Sequence, residues 1–203
     1  MNNPTEVIQG SDEWFALRLG KVTASKVADV MSKGTGRATY MDDLLAERMS
    51  GQSKPSFTND AMRWGTEQEP YARQAYEVDQ ECFVEETGFW QHDELALGVS
   101  PDGLVGEDGL VEIKCPNSST HVGWLRAKKV PAKHIKQIQC QLWVTGRSWC
   151  DFVSYDPRMI EAKNRLMVVR CKRDDALITK MELEVRKFLT ELDGWTKGDP
   201  DEQ

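Results

Sequence analysis

Ser100-Pro101-Asp102-Gly103-Leu104-Val105-Gly106-Glu107-Asp108-Gly109-Leu110-Val111-Glu112-Ile113-Lys114 is the stretch on which the reading of this sequence turns. Gly103-Leu104-Val105 and Leu110-Val111-Glu112-Ile113-Lys114 have strand composition. Pro101-Asp102-Gly103 and Glu107-Asp108-Gly109 supply turn chemistry around them. A tight hairpin brings Asp102, at a turn, beside Glu112, within a strand. Glu112 and Lys114 are two apart on that strand and therefore point to the same face. Two carboxylates and an ammonium converge on one patch of sheet.

Phosphodiester cleavage needs such a patch. Hard oxygen ligands hold one or two Mg²⁺ ions, which polarise the phosphate, lower the pKa of a bound water and stabilise the departing oxygen. A lysine beside them positions or deprotonates the attacking water and offsets charge on the phosphorane. The main-chain carbonyl of Ile113, between the two side chains, is a natural extra ligand. Each residue also has a plainer reading. Asp102 fits an ordinary turn aspartate, and Glu112 with Lys114 fits an ion pair on a solvated face. The Glu-x-Lys triplet alone has no weight, since Glu161-Ala162-Lys163 repeats it with no strand pattern and no turn aspartate upstream.

Upstream of the hairpin the chain reads as helical. Ser11-Asp12-Glu13 opens one helix, and Thr23 caps a second through Val27 and Met31. Ser32-Lys33-Gly34-Thr35-Gly36-Arg37 reads as a loop, Tyr40 to Met49 as a third helix, Gly51 to Asn59 as a polar connection, and Asp60 to Val78 as a longer helix. Strand composition begins at Cys82–Phe89 and continues at Leu97–Ser100, so that these segments and the hairpin form an antiparallel meander. Downstream come a helix from Ala132 to Thr145 stopped by Gly146, strands at Cys150–Tyr155 and Leu166–Cys171, and an amphipathic helix from Asp174 to Leu192. The expected fold is α/β: a central mixed, curved sheet flanked by helices. One nuclease domain over residues 1–203 is expected, with N-terminal helices over about 11–78, the catalytic sheet and helices over about 82–192, and a polar tail over 194–203.

The chain has 203 residues, 39% hydrophobic and 29% charged, a normal globular composition. No apolar run approaches the roughly 18 residues that cross a membrane. Met1 to Glu6 has neither a basic start nor an apolar stretch, so the cytoplasm is the expected compartment. Five scattered cysteines show no metal-site spacing and read as packing residues. A net charge of −7 argues against a protein that coats nucleic acid by charge alone. The charge is uneven: nine acids lie between Glu67 and Glu94, against five Lys/Arg from Arg126 to Lys136 and six from Arg158 to Arg173. Such basic runs fit a basic face, and solvated helix surface equally.

Further residues extend the pattern. Trp64-Gly65-Thr66-Glu67-Gln68-Glu69-Pro70-Tyr71-Ala72-Arg73 carries a carboxylate on a helix ahead of the sheet, where Glu69 alone reads as a solvated charge and Pro70 as a first-turn residue. Gln137, Gln139 and Gln141 fall on the helix after the hairpin, amid apolar Ile138, Leu142, Trp143 and Val144. Taken together, Gly65-x-x-x-Glu69-Pro70-x-Ala72-Arg73, Ser100-Pro101-Asp102-Gly103, Glu112-Ile113-Lys114-Cys115-Pro116 and Gln137 resemble the phage lambda exonuclease-like (YqaJ-type viral recombinase) family of the PD-(D/E)XK nuclease superfamily. The likeness begins at Trp14-x-x-x-Arg18-Leu19-Gly20 and Thr23-Ala24-Ser25. It continues through Gln141-Leu142-Trp143-Val144-Thr145 and Tyr155-Asp156-Pro157-Arg158-Met159, so it spans at least residues 14–159.

The resemblance implies a 5′→3′ exonuclease on linear double-stranded DNA, dependent on Mg²⁺ with Mn²⁺ as a substitute. It implies release of 5′-mononucleotides and a 3′ single strand left for recombination by strand annealing. Glu69, Asp102, Glu112 and the Ile113 carbonyl would hold the metal, Lys114 would serve the water, and Gln137 would help hold the site and the phosphate. Arg18, Ser25 and Ser100 would receive the terminal 5′-phosphate, a role that a guanidinium fork and two hydroxyls suit. Met62 falls near the family's strand-parting wedge, and Arg37 in its loop near a residue that reaches the minor groove. Implied partners are a 5′-phosphorylated duplex end, two further copies in a homotrimeric ring, and a single-strand annealing protein, with no membrane. Two other readings stay open: an endonuclease on the same core, and a DNA-binding module that has lost catalysis.

Overall fold

The computed structural model describes residues 5, 7, 9–53 and 59–196. In chain order the elements are α1 (Asp12–Arg18), β1 (Val22–Thr23), α2 (Val27–Val30), α3 (Thr35–Ser50), α4 (Asp60–Gln80), β2 (Val84–Glu85), β3 (Trp90–Gln91), β4 (Leu97–Val99), β5 (Gly103–Val105), β6 (Gly109–Lys114), α5 (Ser118–Ala127), α6 (Ala132–Thr145), β7 (Trp149–Tyr155), β8 (Leu166–Lys172) and α7 (Asp175–Thr196). Short 3₁₀ turns lie at Ala24–Lys26 and Ala162–Asn164.

The larger sheet runs β2-β5-β6-β7-β8. β5 and β6 form the expected antiparallel hairpin, with Gly103 opposite Val111 and Val105 opposite Gly109. β6 then pairs parallel with β7, Glu112 opposite Phe152, and β7 pairs antiparallel with β8. A parallel pair needs a crossover, and α5 and α6 provide it. The sheet is thus mixed, with helices on both faces.

Alternation along β6 decides which side chain meets which helix. Val111 and Ile113 pack with Ala72 and Tyr76 of α4. Leu110 joins the main core, in which Val27, Leu44, Ile138, Leu142, Phe152 and Phe188 bring together α2, α3, α6, β7 and α7. Each fully buried aliphatic side chain in that core contributes about 1.5–3 kcal/mol. Glu112 shares the α6 face with Leu110. α4 is tied to the sheet by a polar bond as well: the Tyr76 hydroxyl donates to Asp151 Oδ2 at 2.8 Å, and Arg170 grips the same buried carboxylate at 2.9 and 2.8 Å.

Several local expectations need correction. Leu97–Val99 does not join a meander: β4 pairs parallel with β1 and antiparallel with β3 in a separate small sheet. Pro101, without an N–H, cannot prolong that ladder, and Gly98 lets the Phe89 ring lie where a Cβ would be 2.0 Å from Cζ. The strand expected over Cys82–Phe89 is confined to Val84–Glu85. Thr23 lies in β1 and makes no side-chain cap; a 3₁₀ turn and the short α2 follow it. α3 begins at Thr35, so Gly36 and Arg37 are helical and not in a loop. Pro70 sits inside α4, well beyond its first turn.

α5 was not expected; Asn117 caps it by accepting from the Thr120 N–H at 2.9 Å. Gly194, Trp195 and Thr196, expected in a tail, belong to α7. Residues 54–58 of the polar connection, 197–203 of the tail and most of the first eight lie outside the described residues. The terminator Gly146 is where expected, with φ 72° at the end of α6. Among the described residues no helix is long and apolar enough to cross a membrane.

Candidate active site

The hairpin delivers Asp102 and Glu112 to one end of the larger sheet. Gly103, next to Asp102, lets β2 close on the hairpin, since a Cβ there would stand 2.2 Å from Val84 Cγ1. Asp102 Oδ2 accepts the Ile113 N–H at 2.7 Å, which fixes the carboxylate across the mouth of the hairpin. Glu112 is fully buried, yet both oxygens are engaged. Oε1 accepts from Gln137 Nε2 at 2.6 Å and meets Lys114 Nζ at 2.5 Å, and Oε2 accepts from Gln141 Nε2 at 2.7 Å.

Lys114 Nζ also donates to the Ile113 carbonyl at 3.0 Å and lies 3.7 Å from Asp102 Oδ2. One ammonium therefore stands where the oxygens of Asp102, Glu112 and Ile113 converge. Burial opposes its charge, but Glu112 and Asp102 hold the Lys114 pKa above the usual lysine range. Asp102 shifts the other way: burial, and then the charge of Glu112, raise its carboxyl to about 7.

Glu69 approaches from α4. Arg73, one turn on, donates to Glu69 Oε1 at 3.4 Å and also pairs with Glu86. Burial raises the Glu69 pKa, against the pull of Arg73 and Lys114. A groove of about 400 Å³ on one side of Glu69 is lined by Met62, Lys114, Trp124 and His134. Another of about 490 Å³ on the other side is lined by Asp102 and Arg73. Glu69 thus stands on the ridge between two openings to the carboxylates. Among the described residues, no three His, Cys, Asp or Glu side chains enclose an ion-sized space as they stand. The donor set at Lys114 is nonetheless all hard oxygen, and it already surrounds a cation; such a set fits Mg²⁺ or Mn²⁺ rather than a soft metal.

The residues expected at a phosphate are brought together in part. Trp14 Nε1 donates to Ser100 Oγ at 3.0 Å, and the Arg18 guanidinium stacks 3.9 Å above the Trp14 ring. Burial lowers the Arg18 pKa, and among the described residues the guanidinium forms no ion pair with a carboxylate. Ser25 is exposed, and its Oγ lies 3.4 Å from the Thr23 hydroxyl. Met62 is 52% exposed at the mouth of the groove, so it is not core.

Arg37 is not brought to the cluster. It lies in the first turn of α3, where it pairs with Glu191 at 2.6 Å and stacks on Phe188. Glu161 and Lys163 form only an exposed pair. Cys115, beside the site, has its thiol pushed up to about 12 by burial, which keeps it protonated as a packing residue.

Sequence reasoning noted Gln141 without giving it a role, and missed His134. Gln141 sits four residues after Gln137, so both amides project from one face of α6. That spacing was the available signal. His134, on the same helix, stacks on Phe152 and meets Trp124 edge-on.

The YqaJ-like viral recombinase domain model matches residues 13–148, which include the hairpin and the whole of α6. Among solved structures, the alkaline exonuclease LHK-Exo from Laribacter hongkongensis is 47% identical, with a TM-score of 0.88 over 92% of this chain and 95% of that one. LHK-Exo in complex with dAMP matches to the same extent. A phage-related exonuclease from Haemophilus somnus 129PT shares the fold at 19% identity, with a TM-score of 0.65 over 85% of this chain and 93% of that one. No curated protein matches the chain. The extent of the domain match and the 47% identity across nearly the whole chain agree: this protein belongs to the YqaJ-like viral recombinase domain family.

Proposed function

We propose that the chain is a metal-dependent 5′→3′ exonuclease that degrades linear double-stranded DNA. It releases 5′-mononucleotides and leaves a 3′ single strand for recombination by strand annealing. The observation that carries this is the convergence of Asp102, Glu112 and the Ile113 carbonyl on Lys114 Nζ. It lies in a chain 47% identical to an alkaline exonuclease that has been crystallised with a deoxynucleoside monophosphate.

Asp102, Glu112 and the Ile113 carbonyl, with Glu69 from the ridge, would hold Mg²⁺ or Mn²⁺. A cation there supplies Lewis-acid polarisation of the scissile phosphate. Lys114, whose Nζ stands among these oxygens, would position or deprotonate the attacking water and offset charge on the phosphorane. Gln137 keeps Glu112 in place and, being only partly buried, turns its amide toward the phosphate. Arg18, propped on Trp14, and Ser100 form the seat for the terminal 5′-phosphate, with Ser25 at its rim. Met62, exposed at the groove mouth, is placed to wedge between the strands.

Residues 1–203 act as one nuclease domain in this reading. A ring of three copies would retain duplex DNA by enclosure, which reconciles degradation from an end with a net charge of −7. An annealing protein takes up the exposed strand in the cytoplasm. The test is to incubate linear and closed circular duplex with the purified protein and Mg²⁺. Loss of the linear form beside an untouched circle is expected; nicking of the circle would replace the exonuclease with an endonuclease.

A further inference from the structure

Three glutamines on α6 divide their work. Gln139 is spent on the fold: its Nε2 donates to the Lys172 carbonyl at 2.8 Å, and its Oε1 accepts the Asp174 N–H at 2.8 Å. Gln137 is only partly buried and shares Glu112 Oε1 with Lys114, which lines the groove. Gln141 differs from both. It is fully buried, its Nε2 donates to Glu112 Oε2 at 2.7 Å, and its amide oxygen is buried with no hydrogen-bond partner among the described residues.

An unpaired buried amide oxygen costs stability. Its neighbours Ile138, Leu142 and Val144 are apolar and buried, so an aliphatic side chain would satisfy the core at less cost. The fold therefore does not account for an amide at this position, whereas the bond to Glu112 does. A carboxylate on a three-torsion side chain rotates about its last bond unless both oxygens are held. Lys114 and Gln137 hold Oε1; Lys114 lines the groove and Gln137 is only partly buried, so these are the bonds to be exchanged when a cation or phosphate enters. Gln141 holds Oε2 from the interior, where nothing enters.

We propose that Gln141 is a positioning residue: it fixes the carboxylate plane of Glu112 so that Oε1 stays presented to the cation while Lys114 and Gln137 exchange partners. This rests on the reading of Glu112 as a cation ligand. Partners that orient a ligating carboxylate typically account for about 10–100-fold in metal affinity.

The test measures Mn²⁺ binding to the full-length protein, without DNA, by the electron paramagnetic resonance signal of free Mn²⁺. Gln141→Met keeps the reach and removes the donor; Gln141→Asn keeps the amide and shortens the reach; Glu112→Ala is the control. Each protein's metal-free melting curve shows that the sample binding Mn²⁺ is folded. The proposal expects both Gln141 variants to bind Mn²⁺ about tenfold or more weakly than the wild type. Wild-type affinity in either folded Gln141 variant, with Glu112→Ala impaired, would overturn the positioning role alone. Wild-type affinity in Glu112→Ala would overturn the reading of Glu112 as a ligand and this proposal with it.

Discussion

Trp14 and Ser100, 86 positions apart in sequence, are joined by a 3.0 Å hydrogen bond from indole Nε1 to hydroxyl Oγ. The bond fastens α1 to the turn that leads into Asp102, and the face of the same indole carries the Arg18 guanidinium at 3.9 Å. A cation held flat on an aromatic ring, partly desolvated and in no ion pair among the described residues, is prepared to take an anion.

From this arrangement Arg18→Ala loses its preference for 5′-phosphorylated over 5′-hydroxyl ends, with a drop of about 10-fold or more on the phosphorylated end, the scale of a lost charge-assisted pair. Initial rates on the two duplexes measure it. An equal loss on both ends would make Arg18 a general backbone contact or a structural residue.

Lys114→Ala abolishes cleavage and leaves DNA binding nearly unchanged, because the ammonium sits among the catalytic oxygens rather than on an open surface. Gel-shift affinity in Ca²⁺ and turnover in Mg²⁺ separate the two effects. Undiminished turnover by the purified variant would remove Lys114 from the chemistry.

Mg²⁺ stabilises the wild type and fails to stabilise Glu112→Ala. At a hundredfold excess over Kd the gain is about 2.7 kcal/mol, which for a chain of this size raises Tm by roughly 5–10 °C. Melting curves with Mg²⁺ and with EDTA check it. A wild type whose Tm ignores the metal would favour a binding module over an enzyme.

His134 makes stability fall in mild acid. Burial, and then the charge of Lys114, lower its pKa from 6.5 to about 4. The unfolded imidazole therefore takes a proton before the folded one does. Its contribution is complete above about 6.5 and is lost as pH falls from there toward 4. Allowing for partial exposure, the loss is about 1–2 kcal/mol. His134→Phe, which suits the slot between Trp124 and Phe152, should unfold in urea with a shallower pH dependence over that window. An unchanged slope would show that other groups carry it.

Legibility followed the range of the signals. The β5–β6 hairpin was readable because its turns are local chemistry, Pro-Asp-Gly and Asp-Gly on either side of apolar pairs. Period-2 alternation then put Glu112 and Lys114 on one face. α6 and its stop at Gly146 were readable for the same reason. β1 was not: it is two residues long, and its partner, Leu97–Gly98, lies some 75 positions away and parallel to it, so neither strand carries a local mark of the pairing. Arg37 looked like a loop residue because glycines flank it, and only its pairing with Glu191 on α7 shows why helix continues there. Gln141 was visible, but its role was not. An amide in an apolar helix reads as surface until the carboxylate it faces is known.

The central claim is attack from a 5′ end, and one measurement addresses it directly. A linear duplex labelled separately at each 5′ and 3′ terminus is incubated with the protein and Mg²⁺, and the label released as mononucleotide is followed in time. The account predicts immediate release of 5′ label, late release of 3′ label, and neither with Lys114→Ala. Early release from the 3′ termini, or internal fragments before any mononucleotide, would contradict it.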